Sequence, residues 1–381
     1  MAGLYLHIPY CVRKCAYCDF VSFAEPEAVG AYVAPLCREI ALAAERLPVP
    51  PRVESVFFGG GTPSLLTGAQ LGAVLETLGA RYPLSPDAEV TVECNPGTVT
   101  PERLRAYRAA GVNRLSIGLQ SADDALLAAI GRIHTRERFL ETHRAALRAG
   151  FDNLNVDVMH GLPGQTQAQY LDTLRLVCAL DGVTHVSAYA LILEEGTPLL
   201  EAVRAGRTAL PEEDAVADMQ DAGMAYLAGQ GFLRYEISNF ARAGFACRHN
   251  LGYWHNGEYL GFGVAAHGAL RVDGAWTRRA NTASPAAYRQ ALEAGRLPVQ
   301  QVQAIGCAEE MFETVMLGLR LIEGVSLQAF LRRFGVSLYA AYPQAVAEIR
   351  RRGWARETPE AFALNARGLD LQNEALLLFA P

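Results

Sequence analysis

Six short segments rich in β-branched and apolar residues punctuate the first half of the chain: "LYLHIPY" from Leu4, "SVFFGGG" from Ser55, "EVTVEC" from Glu89, "RLSIGLQ" from Arg114, "NLNVDVMHGL" from Asn153 and "HVSAYALIL" from His185. Between them, stretches such as "PEAVGAYVAPLCREIALAAERL", "TPERLRAYRAAG" and "RERFLETHRAALRAG" place apolar residues at three- and four-residue steps, and the last two end on a glycine that suits a helix C-terminus. Strand alternating with helix implies a parallel sheet, because each helix serves as the crossover between neighbouring strands. Six such units end at about residues 180 to 200, short of the eight that close a full barrel. The expected fold class is α/β, an open partial (β/α)6 barrel, with a doubly wound sheet as the alternative that the same pattern allows.

A helix-like stretch follows at 211–231, then an aromatic and glycine-rich region at 232–276 with no simple period. After "GRLPVQQVQ" the chain turns helical again in "CAEEMFETVMLGLRLIEG", "SLQAFLRRFG" and "YPQAVAEIRRRG", and closes on "FALNARGLDLQNEALLLFA", read as a turn and a final helix or strand. The expected division is a barrel at 1–230, an extension at 231–299, and a smaller, mainly helical C-terminal domain at 300–381. No repeats or low-complexity tracts occur.

With 51% hydrophobic side chains, 381 residues are ample for a large core and a smaller one. The opening Met1-Ala2-Gly3 leads straight into alternating "LYLHI", and no apolar run approaches the roughly 18 residues that span a bilayer, so a cytoplasmic protein without a transmembrane segment is expected. Net charge is −6 and Lys14 is the only lysine, which gives no basic balance to attract nucleic acid. The local run "EIRRRGWAR" at 348–356 reads as the solvated face of a helix.

Eight cysteines in a reducing compartment do not suggest a disulfide framework; Cys37, Cys94, Cys178, Cys247 and Cys307 are scattered like small buried hydrophobes. Cys11, Cys15 and Cys18 are different. In "YLHIPYCVRKCAYCDF" they fall four and three residues apart, so one short turn aims three sulfurs at a single centre. An iron–sulfur cluster, a zinc ion completed by His7 or Asp19, and plain buried thiols all fit the spacing. Three thiolates on a four-iron cluster leave one iron open to a chelating amine and carboxylate.

CxxxCxxC just after a first strand in a six-fold βα chain resembles the radical S-adenosylmethionine superfamily. "GGGTP" at 59–63, after the second strand, agrees with it, although alone it reads as a turn. The details are similar to the oxygen-independent coproporphyrinogen oxidase group over nearly the whole chain. The resemblance implies a [4Fe-4S] cluster on Cys11, Cys15 and Cys18 and S-adenosylmethionine as cofactor. Tyr5, Phe20, Gly60, Gly61, Thr62, Glu93, Gln120, Arg132 and Asp157 match positions that bind this cofactor in the group, and Ala190 is a looser match. Several of them fall at the carboxyl ends of the expected strands, where such barrels carry their chemistry. Glu93 and Asp157 stand out as acids on apolar strands, because a buried carboxylate needs a partner.

Two departures separate this chain from the decarboxylating members. Those carry a further cysteine two residues after the third, where Phe20 stands here, and an N-terminal extension, whereas this chain begins at its first strand. "HNLGYW" at 249–254 resembles instead the HNxxYW signature of the haem chaperones of the group. By that resemblance His249 offers an imidazole to haem iron while Tyr253 and Trp254 lie against the macrocycle. Without it, a histidine among aromatics reads as a packed residue. The function so implied is haem binding and transfer to acceptor haem proteins, respiratory ones among the candidates, with an electron donor serving the cluster. Radical decarboxylation of coproporphyrinogen III is the enzymatic alternative, and a degenerate scaffold that only docks partners is the third. The resemblance also implies a winged-helix-like form for the C-terminal domain.

Overall fold

The computed structural model describes residues 2–380. All six expected strands form, as β1 (Ala2–Ile8), β2 (Val53–Gly60), β3 (Leu84–Cys94), β4 (Arg114–Gln120), β5 (Leu154–His160) and β6 (Val183–Ala190). They pair in sequence order, each parallel to the next. Helices cross between them, and four of these, with the helix that follows β6, start on a threonine cap. Thr67, Thr100, Thr135, Thr166 and Thr197 each accept the backbone N–H three residues on, a bond that contributes about 1 kcal/mol per helix.

Strand alternation then separates two chemistries. Leu4, Leu6, Ile8, Val56, Phe58, Val92, Leu115, Ile117, Leu154, Val156 and Val158 share one core with helix residues such as Leu36, Ile40, Leu78, Leu104, Phe139 and Leu174. The opposite set, including Tyr5, Glu93, Arg114, Ser116, Asn155, Asp157, Ser187 and Tyr189, faces a cavity enclosed by the curve of the six strands. This is the partial barrel expected from the sequence, with a polar lumen.

The region without a sequence period supplies strands at both ends of the same sheet. β7 (Leu233–Arg234) and β8 (Asn239–Ala241) continue it beyond β6, with β8 antiparallel to that strand. β9 (Glu258–Phe262) lies parallel to β1 on the other side, followed by antiparallel β10 (His267–Val272), β11 (Ala275–Asn281) and β12 (Val299–Ile305). The short helix Arg248–Trp254 packs against β1, β2 and β9.

Residues beyond β12 build a second core from Val315, Phe330, Val346, Ile349, Trp354, Phe362 and Phe379. Its helices carry a small antiparallel sheet, β13 (Val325–Ser326), β14 (Ala355–Glu357) and β15 (Ala361–Leu364), in the order β13-β15-β14. Buried carboxylates join it to the barrel sheet: Glu310 accepts from Arg271 on β10, and Glu313 from Arg278 on β11 at 2.6 Å. Among the described residues no helix is long and apolar enough to cross a membrane.

Candidate functional site

The cysteine loop is clamped at its base. Cys11 N–H donates to the Phe23 carbonyl (2.8 Å) and Phe23 N–H to that of Pro9 (2.7 Å), so residues 11–22 leave and rejoin the end of β1. Ala16 docks the loop further, donating to the Ile130 carbonyl (3.1 Å) and accepting from Leu199 N–H (2.9 Å). A chain of hydrogen bonds links two of the sulfurs. Thr62 Oγ1 donates to Cys11 Sγ (3.3 Å) and accepts from Asn95 Nδ2 (2.9 Å); Arg132 donates to Asn95 Oδ1 (2.9 Å), to the Gly118 carbonyl (2.6 Å) and to Cys15 Sγ (3.5 Å).

Donors aimed at sulfur suit thiolates and a negatively charged cluster. Burial pushes the Cys11 and Cys18 thiols up, so metal must drive their deprotonation. Among the described residues no three His, Cys, Asp or Glu side chains converge tightly enough to hold a single ion. Three thiolates with hydrogen bonds aimed at two of them are a donor set that fits an iron–sulfur cluster.

The glycine loop reaches the same place through close backbone packing. Gly60 adopts φ +108°, and a Cβ on Gly61 would stand 2.8 Å from the Tyr10 carbonyl oxygen and 2.9 Å from that of Ile8. Backbone cannot yield as a side-chain tip can. Gly61→Ala is therefore expected to destabilise the protein by about 1–3 kcal/mol and to loosen the cysteine loop, read as a lower urea midpoint and faster loss of bound iron.

Below the loop lies the lumen cavity, about 460 Å³. Glu93 Oε2 accepts from Gly60 N–H (3.2 Å); burial, with the Asp157 charge adding to it, pushes its carboxyl up to about 8. Asp157 is also raised by burial and accepts from Asn155 Nδ2 (2.7 Å). Gln120 holds φ 68°, uncommon for a residue with a side chain, and its Oε1 accepts from the Tyr189 hydroxyl (3.0 Å). Tyr5 and His7 form a relay: His7 Nε2 must donate to the Val21 carbonyl (2.8 Å), which leaves Nδ1 to accept from the Tyr5 hydroxyl (3.1 Å).

His249, 3% exposed, also lines this lumen. Its ring lies along Phe57 (centroids 5.1 Å, 22° apart), with Nδ1 on the Ser55 hydroxyl (2.9 Å) and Nε2 on the Tyr253 hydroxyl (3.0 Å). Burial, then the nearby Arg114 charge, lowers its pKa to about 3, so the imidazole is neutral. Glu89 fixes the start of its helix, accepting from the N–H groups of Arg248 (3.2 Å) and His249 (3.3 Å).

The structure thus gathers Tyr5, Phe20, Gly60, Gly61, Thr62, Glu93, Gln120, Arg132, Asp157, His249 and Tyr253 around one cavity with Cys11, Cys15 and Cys18. Two expected residues stand apart. Ala190 lines a separate cavity with His160 and Tyr170, and Trp254 lies under the Arg320 guanidinium at 4.8 Å, its indole N–H without a partner among the described residues. Arg114, Asn95, Ser116, Asn155 and Tyr189 were not singled out in the sequence. Apart from Asn95, which lies just past β3, their signal was the two-residue step that Arg114/Ser116, Asn155/Asp157 and Ser187/Tyr189 share on otherwise apolar strands.

Residues 5–177 match the family model of the Radical SAM superfamily, and residues 308–371 that of the HemN C-terminal domain. The chain is 34% identical over 381 residues to "Heme chaperone HemW" of Bacillus subtilis, covering 100% of this chain and 99% of that one. With the protein of the same name from Mycobacterium tuberculosis it shares 39% over 331 residues, 85% of this chain and 83% of the relative. Its fold is similar to that of the coproporphyrinogen III oxidase HemN from Escherichia coli, with a TM-score of 0.83 at 22% identity over 99% of this chain and 89% of that one. Identity of this order across the full length, together with a thiolate loop poised over a polar lumen, places the chain in the HemW family of the radical SAM superfamily.

Proposed function

We propose that this protein is a haem carrier that passes haem to acceptor proteins, built on a barrel that holds a [4Fe-4S] cluster and S-adenosylmethionine. The observation that carries the reading is the end-to-end identity with the Bacillus subtilis Heme chaperone HemW, which includes the segment carrying "HNLGYW". Phe20, 61% exposed at the rim of the cavity, adds no fourth thiolate and so favours the carrier over the decarboxylase.

When bound, the cluster supplies a single electron and an iron free for the methionine end of S-adenosylmethionine. Cys11, Cys15 and Cys18 would hold it. Thr62 and Arg132 direct hydrogen bonds at the sulfurs of Cys11 and Cys15, and Glu93 and Asp157 would offer carboxylates to the cofactor's donors and positive charge. Gln120, Gly60, Gly61 and Tyr5 complete the walls, and Ala190 contributes only if its strand end shifts toward the lumen. His249 is the proposed haem ligand, and its Nε2 becomes available to iron once the Tyr253 hydroxyl releases it. Trp254 braces the same helix from outside the lumen. A reducing compartment such as the cytosol, an electron donor and acceptor haem proteins, respiratory ones among the candidates, belong to this proposal.

The experiment is an anaerobic haem titration of reconstituted protein, with a coproporphyrinogen III turnover assay on the same sample. Expected are one haem per chain by visible spectroscopy and no protoporphyrinogen. His249→Ala is expected to shift the haem spectrum while the iron–sulfur content stays intact. Wild-type protein that binds no haem, or that turns over coproporphyrinogen III, would overturn the reading.

A further inference from the structure

Arg114 opens β4 and is one of the largest fully buried side chains, 2% exposed. Its place is fixed on both flanks, with Thr91 beside it on β3 and Leu115, the next residue, paired with Leu154 on β5. The side chain lines the lumen cavity. It stands four residues before Gly118, so its Cα lies about 13 Å below the level at which Arg132 meets the Gly118 carbonyl and Cys15.

A guanidinium carries five N–H donors in a planar fork. Among the described residues none of those on Arg114 has a hydrogen-bond acceptor or a carboxylate within ion-pair distance, and Nε is sealed from solvent without a partner. The acids near it are committed elsewhere. Glu89 takes the amides of Arg248 and His249 and the Cys247 thiol (3.4 Å), and Asp157 takes Asn155 and Ser116. Arg114 keeps its charge in spite of its burial. Arg132, the other arginine deep in this lumen, engages both terminal amino groups on Asn95, Gly118 and Cys15 and leaves only its Nε unpartnered among the described residues. A buried cation left unpaired is costly, and a fork of this kind matches a carboxylate bidentately.

We propose that Arg114 is the receptor for a ligand carboxylate on the floor of the lumen, at the end remote from the cysteines. Haem carries one in its propionates, and this source rests on the proposed function; the methionyl carboxylate of S-adenosylmethionine belongs at the open iron beside the cysteines, at the other end of the lumen. His249 neighbours Arg114 closely enough to feel its charge, so an iron ligand and a carboxylate receptor share this floor.

The test is a set of four titrations of cluster-loaded wild type and Arg114→Met: haem, haem dimethyl ester, S-adenosylmethionine and decarboxylated S-adenosylmethionine. Arg114→Met is expected to weaken haem at least tenfold and leave its dimethyl ester unchanged, while both members of the S-adenosylmethionine pair bind as they do to wild type. Coupling in the haem pair names the propionate, and coupling in the S-adenosylmethionine pair alone would overturn the proposal. A merely structural arginine would shift both members of a pair alike, and equal discrimination by variant and wild type overturns the proposal. Should Arg114→Met fail to fold, Arg114→Lys carries the same comparison, because a point charge recovers only part of a bidentate preference; four titrations identical to wild type would then overturn it. Wild type that binds neither haem nor its ester defeats the haem-carrier reading and this proposal with it, whereas haem bound by wild type and variant with equal discrimination defeats this proposal alone.

Discussion

Cys15→Ala is expected to leave anaerobic reconstitution with less than about one iron per chain and without visible cluster absorbance, against roughly four irons for the parent. Two thiolates cannot hold a four-iron cluster against loss to solvent. The effect is specific because the loop does not depend on that side chain for its shape. Its clamp between Cys11, Phe23 and Pro9, and its docking of Ala16 on Ile130 and Leu199, are backbone bonds. Arg132 loses one sulfur acceptor yet keeps Asn95 and Gly118. Thermal unfolding of the metal-free variant should therefore match that of metal-free parent. Full iron content with its visible bands in Cys15→Ala would sink the assignment of this residue as a ligand.

The second large effect is on S-adenosylmethionine affinity as pH changes. Glu93, fully buried with its carboxyl pushed up to about 8 by burial and by Asp157, is mostly protonated at neutral pH in the unliganded protein. The cofactor brings a fixed sulfonium cation and N–H and O–H donors into the lumen, and each of these favours the carboxylate. Binding then expels a proton. Affinity should rise up to about tenfold per pH unit as pH approaches 8 and level off above it. Glu93→Gln, measured beside the parent so that titration of the ligand's own amine cancels, should lose more than about tenfold in affinity at pH 8 and show no such rise. Superimposable profiles for the two proteins would exclude Glu93 from the site.

The same protonation works against the empty protein in alkali. Glu93 and Glu39, the latter pushed up to about 7 by burial, have folded pKa values above the ordinary carboxyl value of 4.5, so the native state binds more protons than the unfolded chain between those limits. Stability is greatest below about pH 4.5 as far as these two groups decide it, and falls as pH rises through 7 and 8. Bound S-adenosylmethionine should remove the Glu93 share of that fall and leave the Glu39 share, because Glu39 is held by Gly263, Asn281 and Tyr288 far from the lumen's ligands.

Much of this molecule is local in origin. The six central strands and their crossover helices lie where two- and four-residue periodicities put them, because each element buries one face of its own sequence. The cysteine spacing and "GGGTP" are likewise contiguous, and a short loop has few ways to present three sulfurs or to let two backbones touch. These features the amino-acid order determined by itself.

Tertiary structure decided the rest. β7, β8 and β9 were illegible because they are two to five residues long, and strands that short find their place by pairing with distant partners such as β1 and β6. The motif "HNLGYW" named His249 but not the occupancy of its ring, since Ser55 and Tyr253 meet it from elements 194 residues away and one helical turn away. It grouped Trp254 with Tyr253, yet helix geometry sends adjacent residues to different faces. Ala190 fell outside the lumen by the same logic on a strand, where one step in register changes the face. Arg114 looked like an ordinary strand-initiating arginine. Only the closing of six strands around it, with every neighbouring acid already engaged, made it an unpaired charge, because burial and partnership belong to the folded chain and not to a residue's place in the sequence.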